Sequence, residues 1–286
     1  MLTIFTPTYN RAKEIKRLYD SLKAQTNKNF EWVVIDDGSS DNTCDVMQSF
    51  IAEGLVSINF SSQQNSGKMK AHNRGVEKAN GDLFVCVDAD DWLTEDAVEQ
   101  IMKAAPKLLT PTYAGLLFND LEGDTDKIIG TEFPWKEKAC TFYDVYNKYS
   151  VTGDKTAVFK TDVMKEFPFP EIENEKFVPE ALVNYRISDK YDMLCLNVPI
   201  KRVEYLENGY SNNYFKVCKN NPLGQILFYK ELYLKQPTLY NVAAYDMYCI
   251  YAKKGIKSSV KEHPNTFLAA LMLLPAYIKF LLKERS

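Results

Sequence analysis

Histidine is scarce in this sequence. His72 and His263 are the only two among 286 residues, too few for a histidine-rich metal centre. The six cysteines (Cys44, Cys86, Cys140, Cys195, Cys218 and Cys249) are scattered and make no CxxC pair, which argues against a zinc ribbon or a thioredoxin-type site. No GxGxxG stands after any strand signal, so a dinucleotide-binding oxidoreductase is not expected. Positive charge is not in excess either. The formal charge is −3 and the isoelectric point about 5.6, so no global field would draw nucleic acid, and any anion site has to be local. The opening MLTIFTPTYNR has no basic segment and only a short apolar run. A signal peptide is therefore not expected, and a cytoplasmic location with reduced thiols is. Neither an internal repeat nor a low-complexity linker is visible.

What is present is an ordinary globular composition, 45% hydrophobic and 26% charged, in a chain long enough for one large domain with an extension. Its first hundred residues alternate strand and helix signals. Leu2–Phe5 reads as a strand ending in TPTYNR, and Ile15, Leu18 and Leu22 follow at helical spacing. FEWVVID (30–36) is a dense β run closed by DDGSSDNT, and LVSINF (55–60) is a third strand. QQNSGKMKAHNRG leads into a helix near residues 69–79, DLFVCVD (82–88) is a fourth strand, and a helix from Thr94 runs to about Lys103. This order predicts a mainly parallel, Rossmann-like α/β sheet flanked by helices, with ligands bound beyond the carboxyl ends of its strands. Three polar clusters fall there: TPTYNR, DDGS and DADD. Beyond residue 106, YAGLLFN (113–119) reads as a strand, VTGDKTAVFKTDVM (151–164) as a helical or mixed segment, MLCLNVPIKRVEYL (193–206) as a β pair or one bent strand, and the chain from Asn220 as helix.

VCVDADDWL (85–93) packs Asp88, Asp90 and Asp91 into four positions after an apolar run. Like charges so close repel, and a hard divalent cation, Mg²⁺ or Mn²⁺, would relieve them while gripping phosphate oxygens. The plainer alternative is a solvated acidic turn that caps a helix. Asp36 and Asp37 end the second strand. One of them can accept hydrogen bonds from a nucleobase edge, although Asp36 reads more simply as part of a turn. Lys68 and Lys70 can meet phosphate charge, or lie on the surface as ordinary lysines.

TPTYNR (6–11), VVIDDGSSDNT (33–43), NSGKMKAHNRGVEKANGD (65–82) and VCVDADDWL, in this order and spacing, resemble the inverting glycosyltransferases of family 2 with the GT-A fold. The resemblance covers roughly the first hundred residues. It implies a sugar moved with inversion from a nucleotide-diphosphate donor, a UDP-sugar in the first instance, to a saccharide or lipid-linked glycan acceptor. By matching position, Pro7, Thr8 and Tyr9 would line the base pocket and Asp37 would meet the base. Asp90 would be the main metal ligand, Asp88 would stand near the ribose and the metal, and Asp91 near the donor. Lys68 or Lys70 would stand near the diphosphate. Where many relatives carry an Arg-Asn pair, this chain has His72-Asn73. The family takes its general base from an acidic pair at a helix start in the second half. The nearest match is Glu180 in FVPEAL, with Ala181 where the second acid would stand, and Asp154 in TGDK is the competing candidate. YLENGYSNN (205–213) resembles a loop that closes over donor or acceptor, or is a plain turn.

These expectations divide the chain into a donor subdomain (1–105), an acceptor subdomain (106–215) and a helical C-terminal extension (216–286). The tail NTFLAALMLLPAYIKFLLKERS (265–286) is apolar, short for a spanning helix and flanked by lysines. It suits either a peripheral contact on the inner face of a membrane or packing on the domain or in a homodimer. The rival functions are a sugar nucleotidyltransferase and a non-catalytic scaffold of a membrane glycan-assembly complex. A nucleotidyltransferase would want a glycine-rich loop after the first strand, and TPTYNR has no glycine. A scaffold would not need every donor-side acid.

Overall fold

The computed structural model describes residues 1–204 and 210–285. The elements run β1 (Leu2–Thr8), α1 (Ile15–Ala24), β2 (Phe30–Asp36), α2 (Thr43–Glu53), β3 (Ile58–Ser62), α3 (Lys68–Lys78), β4 (Leu83–Cys86), β5 (Trp92–Leu93), α4 (Ala97–Ala104), β6 (Tyr113–Glu122), β7 (Glu137–Cys140), α5 (Phe142–Asn147), β8 (Lys155–Lys160), α6 (Thr161–Glu166), α7 (Glu180–Ile187) and β9 (Asp192–Val203). Helices α8 (Tyr210–Asn220), α9 (Pro222–Lys235), α10 (Leu239–Tyr251), α11 (Ile256–Glu262) and α12 (Thr266–Arg285) follow.

The strands form one sheet in the order β3-β2-β1-β4-β8-β6-β9-β5, with β7 also on β9. Strands β1 to β4 are parallel where they pair, as the alternation predicts. The segment 151–164 is mixed, one of the two expected readings, a strand running into α6. KTAVFK is not helical; it is β8, inserted antiparallel between β4 and β6. Its buried Val158 and Phe159 suit a strand covered on both faces better than a short helix. In place of a β pair, Asp192–Val203 forms one long strand, β9. Since β8 is antiparallel to both β4 and β6, and β9 is parallel to β6, strands β6 and β9 run in the same sense as β1–β4. Their carboxyl ends, and the amino end of β8, therefore share one edge of the sheet.

The core of this sheet is made by the residues whose periodicity marks the elements. Ile15, Leu18, Tyr19 and Leu22 of α1 are buried, and Tyr19 stacks on Phe50 and Trp32. Helix α3 lies so near β1 that a Cβ on Gly75 would come within 2.3 Å of the Phe5 ring. A larger residue there would have to displace packed core.

Chain contacts divide the protein into two units. One holds residues 1–169 and 183–204, the other 170–182 and 205–286. The second unit thus begins before residue 216 and takes in a stretch from the middle of the sequence. Glu175 explains that recruitment. It is buried, and its two oxygens accept the Leu223 and Gly224 amides at 2.5 and 2.7 Å, capping the exposed N–H groups that open α9. The Lys176 amide adds a 2.7 Å bond to Asn221 Oδ1.

Candidate active site at the carboxyl edge of the sheet

Each polar cluster sits where a strand stops. After β1, Asn10 takes a left-handed φ of 51°, a conformation asparagine tolerates better than most residues. Its side-chain oxygen accepts the Ser40 amide at 2.8 Å, so the loop after β1 is fastened to the loop after β2. In DDGS, Gly38 has φ 79°, and a Cβ there would meet the Asn65 amide at 2.9 Å. Asp36 closes its own turn by accepting the Ser39 hydroxyl at 2.5 Å. Asp37 reaches the other way. Its Oδ1 accepts Gln63 Nε2 and the Ser66 amide, and its Oδ2 accepts the Gly67 amide, at 2.7–2.8 Å. The residue expected at the base is thus first the clamp on the loop that delivers Lys68.

The DADD turn follows β4. Lys68 Nζ lies 2.8 Å from Asp88 Oδ2, Arg11 Nε lies 3.6 Å from Asp90 Oδ2, and Lys201 Nζ lies 3.2 Å from Asp91 Oδ2. The crowding of carboxylates is therefore offset by three of the chain's own cations, one per acid. Of these the sequence reading singled out Lys68 alone. Lys201 also lies 3.5 Å from Asp120 Oδ2, whose other oxygen accepts the Thr156 hydroxyl at 2.5 Å. Asp120 is wholly buried and Asp91 nearly so. Arg17 completes the support of the turn. It donates to the Asp90 carbonyl at 3.0 Å, pairs with Glu204 and lies over the Trp92 ring at 3.6 Å.

These contacts set the ionisation of the site. Burial acts to raise the Asp88 carboxyl, yet Lys68, Lys201 and His72 hold it below the usual carboxylate value. Burial and the Asp88 charge push Asp90 up. Asp91 is pushed up to about 7 by burial, with Asp88 and Asp90 adding to the rise against the pull of Lys201. Burial alone would lower Lys201, but Asp120, Asp91 and Asp88 keep it well above the ordinary lysine value.

The remaining expected residues fall as follows. Pro7 and Thr8 end β1, with Thr8 buried and Tyr9 about half exposed. Lys70 lies in the first turn of α3 and makes no ion pair among the described residues. His72 packs edge-on against Phe5, Phe84 and Phe169, and Asn73 exchanges two hydrogen bonds with the Phe169 backbone; both hold the core together. Asp154 is exposed just before β8, on the same sheet edge, and its charge is felt by Asp120 and by Tyr146. Glu180 is the exposed first residue of α7 and belongs to the second unit. Tyr205–Gly209 of the expected closing loop lie outside the described residues.

Among the described residues no three His, Cys, Asp or Glu side chains converge as a metal cage. The donors expected for a divalent ion are the pair Asp88 and Asp90, and the Asp88 charge acts to raise Asp90. Two carboxylate ligands completed by phosphate oxygens are what Mg²⁺ or Mn²⁺ commonly takes, so the residues fit such an ion bound together with a diphosphate.

The mixed sheet, with helices packed against it and charged clusters where its co-directional strands end, matches the GT-A fold of solved glycosyltransferases. The chain belongs to glycosyl transferase family 2, whose family model matches residues 3–160. It is 29% identical over 175 residues to glycosyltransferase GlyA of Streptococcus pneumoniae serotype 4; the match covers 58% of this chain and 23% of GlyA, so this chain spans less than a quarter of that relative. Staphylococcus aureus TarS 1–349, solved in complex with UDP-GlcNAc, shares the fold with a TM-score of 0.66 at 17% identity, covering 99% of this chain and 91% of that one. The mannosyltransferase PcManGT of Pyrobaculum calidifontis, solved with GDP-Man and Mn²⁺, does so with a TM-score of 0.57 at 17% identity, covering 97% and 79%.

Proposed function

We propose that this protein moves a sugar from a nucleotide-diphosphate donor to a saccharide or lipid-linked glycan acceptor with inversion. The observation that carries the reading is the DADD turn, whose acids are each held by a separate cation at the carboxyl edge of the sheet. UDP is the first nucleotide to try, because the TarS structure holds a UDP-sugar. In the transfer the bond from the anomeric carbon to the diphosphate oxygen breaks as a bond to the acceptor oxygen forms on the opposite face. The acceptor's proton passes to a carboxylate, and the nucleotide diphosphate leaves. Lys68 and Arg11 meet charge growing on the leaving diphosphate. Asp37, by fixing residues 63–67, sets where Lys68 stands, while Pro7, Thr8 and Tyr9 flank the nucleobase and Asp91 the sugar. Asp88 and Asp90 would hold Mg²⁺ or Mn²⁺, which supplies electrostatic neutralisation of the diphosphate when bound. Glu180 and Asp154 are the two candidates for the general base.

The donor-side residues are assigned to residues 1–105 and the acceptor-side residues to 106–215. We place the enzyme on the cytoplasmic side of a membrane, in contact with it through residues 265–286.

The test is thermal unfolding with UDP, Mn²⁺ and both, followed by slow donor hydrolysis. A stabilisation that needs both ligands, and that Asp90→Ala removes, supports the transferase. No response to any nucleotide favours a scaffold, and a response to sugar phosphate plus UTP favours a nucleotidyltransferase. In the acceptor-dependent assay, Glu180→Gln or Asp154→Asn should lower turnover by about 10²- to 10⁴-fold with UDP binding intact. If neither does, both base assignments fall.

A further inference from the structure

Helix α12 is apolar on two sides, and its own unit uses only one of them. Ala269 and Ala276, seven residues apart, are fully buried, and Met272 packs between them against the cluster of Tyr233 and Val242. On the opposite side Phe267, Leu271, Leu274, Ile278 and Leu281 recur at alternating intervals of four and three, and Leu282 lies four residues after Ile278, which places all six on one stripe. Their side chains are between 40% and 76% exposed. Six large apolar side chains in one exposed stripe form a contiguous surface patch rather than scattered exposure.

Charge identifies what covers that patch. Residues 250–286 hold seven Lys and Arg against two Glu, a net of +5 in a chain whose total is −3, so the first 249 residues carry −8. Lys253, Lys257 and Lys261 lie exposed on and just before α11, which packs on α12. Lys279 and Lys283 lie instead over the rings of Tyr240 and Phe215. An exposed apolar stripe in a segment of net positive charge complements an apolar layer under negative headgroups. A second copy of this chain would bring +5 against +5. By length and composition Thr266–Lys283 is apolar enough to cross a bilayer, but one face of the helix, Ala269 with Met272, is committed to Tyr233 and Val242, which favours a helix lying in the interface over one that spans.

We infer that α12 binds an anionic lipid bilayer lying in the plane of its surface, with Phe267, Leu271, Leu274, Ile278, Leu281 and Leu282 inserted and the lysines of residues 253–261 over the headgroups. This deepens the membrane placement proposed above by naming the face and the lipid charge, and it stands apart from the transfer chemistry.

The full chain is sedimented with phosphatidylcholine vesicles and with vesicles of equal phosphatidylcholine and phosphatidylglycerol. The expected result is pelleting with the anionic vesicles, at least about tenfold weaker pelleting without phosphatidylglycerol, and loss of binding in the double variant Leu271→Gln, Leu274→Gln. That variant changes exposed side chains, so its melting temperature and its response to UDP with Mn²⁺ stay as in the unaltered chain. Lys257→Gln with Lys261→Gln weakens binding to anionic vesicles alone. Equal binding to both vesicle types, no binding to either, or full binding by the Leu double variant overturns the inference. So does a solution dimer that the Leu double variant dissociates. If vesicle binding holds while UDP and Mn²⁺ give no response, the transferase reading fails and this inference survives.

Discussion

Lys201 lies between the carboxylates of Asp91 and Asp120, and both of those acids are buried. Removing the ammonium leaves two buried charges to share what remains, so Lys201→Met should cost about 3–5 kcal/mol. The double variant Asp120→Asn, Lys201→Met should recover a large part of that loss, and urea unfolding of the unaltered chain, the two single variants and the double variant measures the difference. An additive pair would show that the lysine does not bridge. The same trio marks where the site was illegible in sequence. Asp88, Asp90 and Asp91 stand together in a four-residue motif, and Asp37 stands in another, so short-range pattern exposes them. Asp91, Asp120 and Lys201 are far apart in the chain and meet only through strand pairing. Asp120 opposes Lys201 across β6 and β9, and Leu93 opposes Lys201 across β5 and β9. Two register shifts between Phe118 and Asp120 make that pairing unreadable by alternation. The one available signal was an acid ending the apolar run YAGLLFND.

At the scale of elements, α10 carries an unexplained expense. Asp246 is fully buried within it, and neither carboxylate oxygen has a hydrogen-bond partner among the described residues. Burial pushes its carboxyl up to about 7. The folded chain therefore holds this proton more tightly than the unfolded chain does. Stability contributed here is greatest in acid, falls as pH rises from about 4, the unfolded value, to about 7, and is level above that. Asp246→Asn should raise the melting temperature at pH 8, by the equivalent of about 1–3 kcal/mol, and change little at pH 4. Equal effects at both pH values would refute the buried-charge account. Element types were otherwise legible wherever period was long and clean, as in α1 and β2. The strand β8 was not, because six residues bounded by lysines give no period to count. The tail was legible as apolar but not as two-sided, since a helix apolar on both faces hides which face the protein keeps for itself.

For the whole molecule, the alternation of strands and helices was readable over the first hundred residues, because those elements are local and joined by short turns. The division into two units was not. It depends on Glu175, whose capping of α9 ties residues 170–182 to a helix that starts some fifty positions later. The uneven distribution of charge has a practical corollary. A protein of isoelectric point about 5.6 ought to pass through a cation exchanger at neutral pH. With five net positive charges gathered in its last 37 residues, this one should be retained on sulfonate resin at low ionic strength and also on quaternary-amine resin. Trimming the chain at residue 249 should abolish the first retention and strengthen the second.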